Sequence, residues 1–321
     1  MSRLLPEPLI DNGGMPLVLF PSETSDLTSF LGRHVDEVHS LLREYGALLF
    51  RDFEVCDPET FGKVVDAISS ERCSYLYRST PRTEIASGIY TATEYPPELE
   101  IPLHNENAYQ RSWPMRLSFC CLTAAGEGGE TPLADMRRVT NALDASLLER
   151  FRRQGVRYVR HYRPFADLPW QVVFQTNDAA EVGRFCESRD IDYEWLSDGT
   201  LRTSQTCQGT AVHPVTGAEL FFNQAHLFHV SSLGAEMAQD LVDVFGYDKL
   251  PRNATFGDGV EFETAELESV REAFRRASVR FQWQRGDVLL LENMLVAHGR
   301  RPYVGPRKVL VSLFDSFSPN T

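Results

Sequence analysis

Apolar positions along the chain recur in two registers, every three to four residues and every second residue, and these separate helices from strands. Helical spacing predicts a helix over residues 35–45, and 47–51 (ALLFR) reads as a buried strand. Asp57-Pro58-Glu59 has the chemistry of a capped helix start, and the apolar spacing carries that helix to about Ile68. Strand-like runs follow at 88–93, 116–123 and 131–135, with 126–129 (GEGG) as a turn between the last two. Further helices are predicted over 138–154, 181–188, 235–245 and 264–276. Further strands are predicted over 156–162, 201–212, 279–284, 287–292 and 308–317. Many short strands with helices inserted between them point to a sheet sandwich or jelly roll decorated on one side. The fold class is therefore mainly β with inserted helices. A doubly wound sheet would need regular strand–helix alternation, and neither a GxGxxG nor a P-loop is present. No repeat or polar linker interrupts the chain, which predicts a single domain over residues 1–321.

Charge narrows the classes of partner. The formal net charge of −13 argues against nucleic-acid binding, which needs a basic face, but allows a local basic pocket for an acidic small molecule. No run of 18 apolar residues predicts a membrane span. The opening MSRLLPEPLIDNGG carries acids and prolines in place of an apolar signal core, so a cytoplasmic protein is expected. The six cysteines form no C-x-x-C pair and read as free thiols.

Candidate chemistry begins at Leu103-His104-Asn105-Glu106. On extended backbone, positions i and i+2 share a face, so His104 and Glu106 could reach one ion. His298, after the strand that ends near Glu292, can supply a third donor. Two histidines and one carboxylate make the facial triad of non-haem iron oxygenases, which leaves the opposite face of the ion open. His-x-Glu alone also occurs by chance, and any of the eight histidines could be structural. Residues 299–308 (GRRPYVGPRK) bring four cations into an acidic protein. A solvated loop would explain them. Alternatively, Arg307, at the mouth of the next strand, could form a bidentate pair with the far carboxylate of an iron-chelating keto acid.

These segments resemble the taurine catabolism dioxygenase (TauD/TfdA, clavaminate-synthase-like) family, particularly its syringomycin-type amino-acid hydroxylase branch from nonribosomal-peptide clusters. The matching stretches are EYGALLFRDFEV, EIPLHNENAYQRSWPMRLSF, GGETPLADMRRV, FFNQAHLFH and WQRGDVLLLENMLVAHGRRPYVGPRKVLVSLF, which together reach from Glu44 to Phe314. The resemblance implies a double-stranded β-helix (jelly-roll) core, Fe(II) as cofactor, and 2-oxoglutarate and O2 as co-substrates, with 2-oxoglutarate leaving as succinate and carbon dioxide. It also implies that His104, Glu106 and His298 bind the iron, that Thr131 helps to bind 2-oxoglutarate, and that Arg307 clamps its distal carboxylate. Of Arg300 and Arg301, one is expected to support the site and the other to face solvent. Many relatives carry Asp where this chain has Glu106. Related halogenases lack that carboxylate altogether, so hydroxylation is expected over halogenation, with desaturation, epoxidation and oxidative decarboxylation left open. Val311 stands where taurine dioxygenase has a second arginine, so a sulfonate substrate is not expected.

An amino-acid-like substrate is expected, free or carrier-bound. The amides of Asn107, Gln110, Asn223 and Gln224 could bind its amino and carboxyl groups, or could equally satisfy buried backbone. His226, His229, Trp113 and Trp283 read as core or supporting residues. Arg150, Arg152, Arg153, Arg157, Arg160 and Arg163 form a basic run, either a solvated face or a dock for an acidic carrier protein. A jelly-roll binding protein without turnover is the alternative from a different class.

Overall fold

The computed structural model describes residues 7–8, 14–73, 77, 80, 82–163 and 166–319. Most of the opening segment read above for a signal core lies outside these residues. The chain folds mainly as sheet, with helices inserted between strands. An eight-stranded sheet runs in the order Glu7–Pro8, Leu17–Leu19, Ala47–Phe50, Val288–Glu292, Trp113–Thr123, Lys308–Phe317, Ile89–Thr91 and Glu84–Ala86. Its pairs are antiparallel except Leu17–Leu19 with Ala47–Phe50.

The central strands of this sheet, Ala47–Phe50 and Val288–Glu292, are buried along their whole length because both faces are covered. Leu49, Leu117, Phe119, Leu289, Leu291, Val309 and Val311 point into one core, while Leu48, Phe50, Cys120, Leu122, Val288, Leu290 and Leu310 point into another. The strict alternation is the period-2 geometry of a strand. Helices Leu27–Tyr45 and Pro58–Ile68 cover the second face through Phe30, Leu31, Val38, Leu42, Phe61, Val64 and Val65. Asp57 caps the second helix, accepting from Thr60 N, with Pro58 in the first turn as predicted. Each such buried side chain contributes about 1.5–3 kcal/mol.

Two smaller four-stranded sheets contribute to the first core. One has the order Ser278–Val279, Leu133–Asp135, Val296–Arg300 and Ile101–His104; the other has Asp192–Trp195, Leu201–Cys207, Val156–Tyr162 and Arg252–Phe256. Several boundaries differ from the sequence reading, each for a local reason. The helix predicted over 138–154 is two helices, Met136–Ala142 and Ala145–Gln154, because Asp144 accepts from Ser146 N and Leu147 N and starts a new one. The strand predicted over 201–212 breaks at Gln208-Gly209, and only Ser278–Val279 of the 279–284 region is strand. The GEGG turn includes a two-residue strand, Glu127–Gly128, paired with Tyr303–Val304.

The basic run is not one face. Within Val156–Tyr162, Arg157 and Arg160 project on opposite sides, and Arg160 is buried against Asp167. Arg150 pairs with Glu266, Arg152 with Glu149 and Glu219, and Arg163 with Asp198. Strand alternation and acidic neighbours therefore dissolve the docking patch that linear spacing suggested. All six cysteines are free thiols.

Arg51 closes the end of the large sheet by donating from Nε and Nη2 to the two carboxylate oxygens of Asp287, at 3.0 and 2.7 Å. Asp287 is only 1% exposed. Asp287→Ala strands the arginine and should destabilise the fold by about 3–5 kcal/mol, measured by denaturant unfolding. A change below 1 kcal/mol would show that water takes over the pairing.

Candidate metal centre

The two histidines of the expected triad meet by strand register. Val296–Arg300 pairs antiparallel with Ile101–His104 so that His298 stands directly opposite His104, and their ring centroids are 4.6 Å apart. Two glycines keep the strand of His298 close to its neighbours. A Cβ on Gly299 would lie 2.5 Å from Ile101 O. Gly46, at φ 76, ends the first long helix, and a Cβ there would lie 2.5 Å from Val296 Cγ2. Gly299→Ala should therefore push the two metal-bearing strands apart at a cost of about 1–3 kcal/mol. A thermal melt of the variant checks this; an unchanged midpoint would mean the strands yield freely.

Glu106 reaches the site differently from the expectation. The strand ends at His104, and Glu106 lies in the turn that follows, so the two side chains converge through a turn and not through strand alternation. Asn293 builds that turn. Its Oδ1 accepts from Glu106 N at 2.8 Å, and its Nδ2 donates to Glu106 O and Pro114 O. Asn105 Nδ2 donates back to Asn293 O at 2.6 Å. The turn that leads into the strand of His298 thus holds the backbone of Glu106.

The ligating atoms of His104, Glu106 and His298 lie within 4.8 Å of one another, the one such metal-competent group among the described residues. His104 Nδ1 is engaged with Pro102 O at 2.8 Å, which leaves Nε2 to face the cluster. Burial lowers the pKa of His104 and takes that of His298 well below the usual histidine range, so both rings are neutral donors at physiological pH. His226 Nε2 donates to Leu103 O at 3.0 Å, its ring stacks on Phe274, and its pKa is pushed down to about 3 by burial. It props the strand end that carries His104 and is not part of the cluster.

His104 and His298 open onto a cavity of about 30 Å³ whose lining also includes Arg82, Thr93, Phe119, Thr131, Arg300 and Arg307. Thr131 and Arg307 line this cavity beside the two histidines. Trp283 Nε1 donates to Thr131 Oγ1 at 3.0 Å, which leaves the hydroxyl hydrogen for another acceptor. Arg307 Nε donates to Gly129 O at 3.1 Å. Burial, reinforced by the charge of Arg300, lowers its pKa to about 10, so an anion between the two arginines is favoured. Arg300 is the supporting arginine, donating to Tyr95 O, Pro96 O and Leu99 O. Arg301 pairs with Glu100 at the surface.

The four candidate substrate amides separate. Asn223 Nδ2 donates to Gly209 O and its Oδ1 accepts from Ala225 N; Gln224 Nε2 donates to Asn105 O at 2.6 Å. Both serve backbone, and neither lines the cavity, which corrects the substrate-contact expectation for that pair. Gln110 Nε2 reaches Tyr77 O at 3.4 Å. Asn107, at φ 57 and adjacent to Glu106, keeps a buried Oδ1 without a hydrogen-bond partner. Arg82, Asn293 and the role of Trp283 were missed, since single residues in irregular segments carry no periodicity.

A larger open groove lies on the outer side of Val156–Tyr162, lined among others by Arg157, His161 and Arg202. It contains no metal-competent group, so the chemistry belongs to the smaller cavity.

Known proteins agree with this geometry. Residues 15–313 match the family described as taurine catabolism dioxygenase TauD, TfdA family. The chain is 42% identical over 316 residues to the dapdiamide synthesis protein DdaC of Enterobacter agglomerans, covering 98% of this chain and 95% of that protein. It is 31% identical over 291 residues to a clavaminate synthase-like protein of Arabidopsis thaliana, covering 85% and 83%. The solved structure of PvcB from Pseudomonas aeruginosa superposes with a TM-score of 0.57 at 16% identity, over 97% of this chain and 90% of that one. The neutral imidazoles, the carboxylate and the open cationic cavity fit a ferrous ion and a dianionic keto acid, and the chain belongs to the taurine catabolism dioxygenase TauD, TfdA family as a non-haem iron, 2-oxoglutarate-dependent dioxygenase.

Proposed function

We propose that the protein hydroxylates an unactivated C–H bond of an amino acid, free or carrier-bound, in the biosynthesis of a natural product. The observation that carries this reading is the cavity itself, where two histidines of a three-donor metal group share its walls with three arginines in a protein of net charge −13. In this reading the chain is one cytoplasmic domain, and its large and small sheets form the two halves of a double-stranded β-helix.

His104, Glu106 and His298 would hold the iron. Iron and 2-oxoglutarate together supply the activation of oxygen that oxidises a substrate C–H bond, with release of succinate and carbon dioxide. Arg307 binds the distal carboxylate of 2-oxoglutarate in a buried pocket where charge pairing is strong, and Thr131 donates its remaining hydroxyl hydrogen to the same ligand. Arg300, in the cavity wall, anchors the 95–99 loop, and buried Phe119 adds an apolar surface to the same wall. The relation to a dapdiamide synthesis protein favours a biosynthetic role.

Succinate formation that requires Fe(II), oxygen and a particular amino acid, with mass spectrometry of the product, tests the proposal. Comparing free and carrier-loaded amino acids in that assay separates the two substrate forms. Product lacking added oxygen would favour desaturation, and absence of succinate with every candidate would favour a binding protein.

A further inference from the structure

Glu106 is held from two sides. Asn293 fixes its main chain, as described above, and Arg82 fixes its carboxylate. Arg82 Nη2 donates to Glu106 Oε2 at 2.9 Å, with the two side chains 3% and 4% exposed. The same oxygen lies 3.7 Å from His298 Nε2, and Arg82 forms part of the cavity wall beside both histidines. A buried ion pair of this kind is weak evidence for fold stability, because desolvation of the two charges offsets their attraction. Its position points to another role. Glutamate has three side-chain torsions, and a carboxylate presented to an ion can bind through one oxygen or through both. The bond from Arg82 engages Oε2 alone and fixes the orientation of the carboxylate, so it makes the two oxygens inequivalent before any ion arrives.

We propose that Arg82 is a positioning residue of the metal centre that restricts Glu106 to one-oxygen coordination. The benefit is a coordination position. Three single-atom donors on a six-coordinate ion leave three positions, which is what a bidentate keto acid and oxygen require together. A glutamate gripping with both oxygens would take one of them. Arg82 thus guards the open face of the ion without touching the reacting atoms. The inference rests on the reading of His104, Glu106 and His298 as the metal ligands.

Mn(II) serves as the probe, because its electron-paramagnetic-resonance line broadens in ¹⁷O-enriched water in proportion to the waters it carries. The wild-type protein loaded with Mn(II) should carry three. Arg82→Met should carry two, should bind Mn(II) within a few-fold of wild type, and should bind 2-oxoglutarate to the loaded protein on the order of 10-fold more weakly. Arg82→Lys, which keeps one charged donor, should recover the third water and most of the 2-oxoglutarate affinity.

Three waters in Arg82→Met overturns the proposal. So does loss of Mn(II) in proportion to loss of 2-oxoglutarate, which would make Arg82 a support of the whole centre. If Arg82→Met does not fold, Arg82→Gln takes its place, and failure of both assigns the residue to the fold and overturns the proposal as well. Glu106→Ala separates the underlying reading: if that variant binds Mn(II) like the wild type, the ligand assignment itself fails.

Discussion

Glu106→Ala loses 2-oxoglutarate-dependent succinate formation by at least about 100-fold, because even residues that only orient a metal ligand are worth 10–100-fold. The site explains why so small a change is so damaging. Glu106 is the one carboxylate in the metal-competent group, and its neighbours His104 and His298 are neutral rings. Without it, the ion faces two neutral donors and the Arg82 guanidinium that formerly paired with the glutamate. A divalent cation next to an uncompensated buried cation is held poorly. The expected measurement is succinate release with Fe(II), oxygen and substrate, paired with Mn(II) binding by electron paramagnetic resonance. Circular dichroism and melting should show a folded protein, since the backbone of this turn is held by Asn293 and not by the carboxylate. Undiminished succinate formation would remove Glu106 from the metal centre.

Arg307→Ala acts on the co-substrate. Truncating one partner of a buried charge pair costs about 2–5 kcal/mol, so the KM for 2-oxoglutarate should rise roughly 30-fold or more. Burial holds the Arg307 pKa near 10, still well above neutrality, so the guanidinium remains charged at pH 7 and available to a carboxylate. The effect should depend on the far end of the ligand. Inhibition by pyruvate, a keto acid without a distal carboxylate, should change little between wild type and variant. An equal loss for both keto acids would place Arg307 in general support of the cavity, and an unchanged KM would assign the clamp to Arg300. Arg300 already commits Nη1 and Nη2 to Tyr95 O, Pro96 O and Leu99 O.

How far the linear chain discloses this site depends on the kind of interaction. Asp57-Pro58 predicts its helix because capping is a contact within four residues. Lys308–Phe317 is recovered because a buried strand imposes its own apolar run, here Val309 to Val311 and Leu313-Phe314. His104 and Glu106 are visible as a pair, yet the route by which they converge was misjudged, since the turn at Glu106 is built by Asn293 from far along the chain. The arginine run shows the opposite failure. Its spacing suggested a shared face, but strand alternation and partners such as Asp167, Glu219 and Glu266 divide it.

By itself, the sequence determined the class of chemistry: donor types, the order of strands and helices, and the cationic segment after His298 that awaits an anion. These follow from residue identity and short-range periodicity. Tertiary structure alone decided that His298 stands opposite His104, that Trp283 orients Thr131, and that Arg82 grips Glu106. Those contacts join residues between 24 and 194 positions apart, differences read directly from their numbers, and only sheet register and side-chain packing can choose such partners.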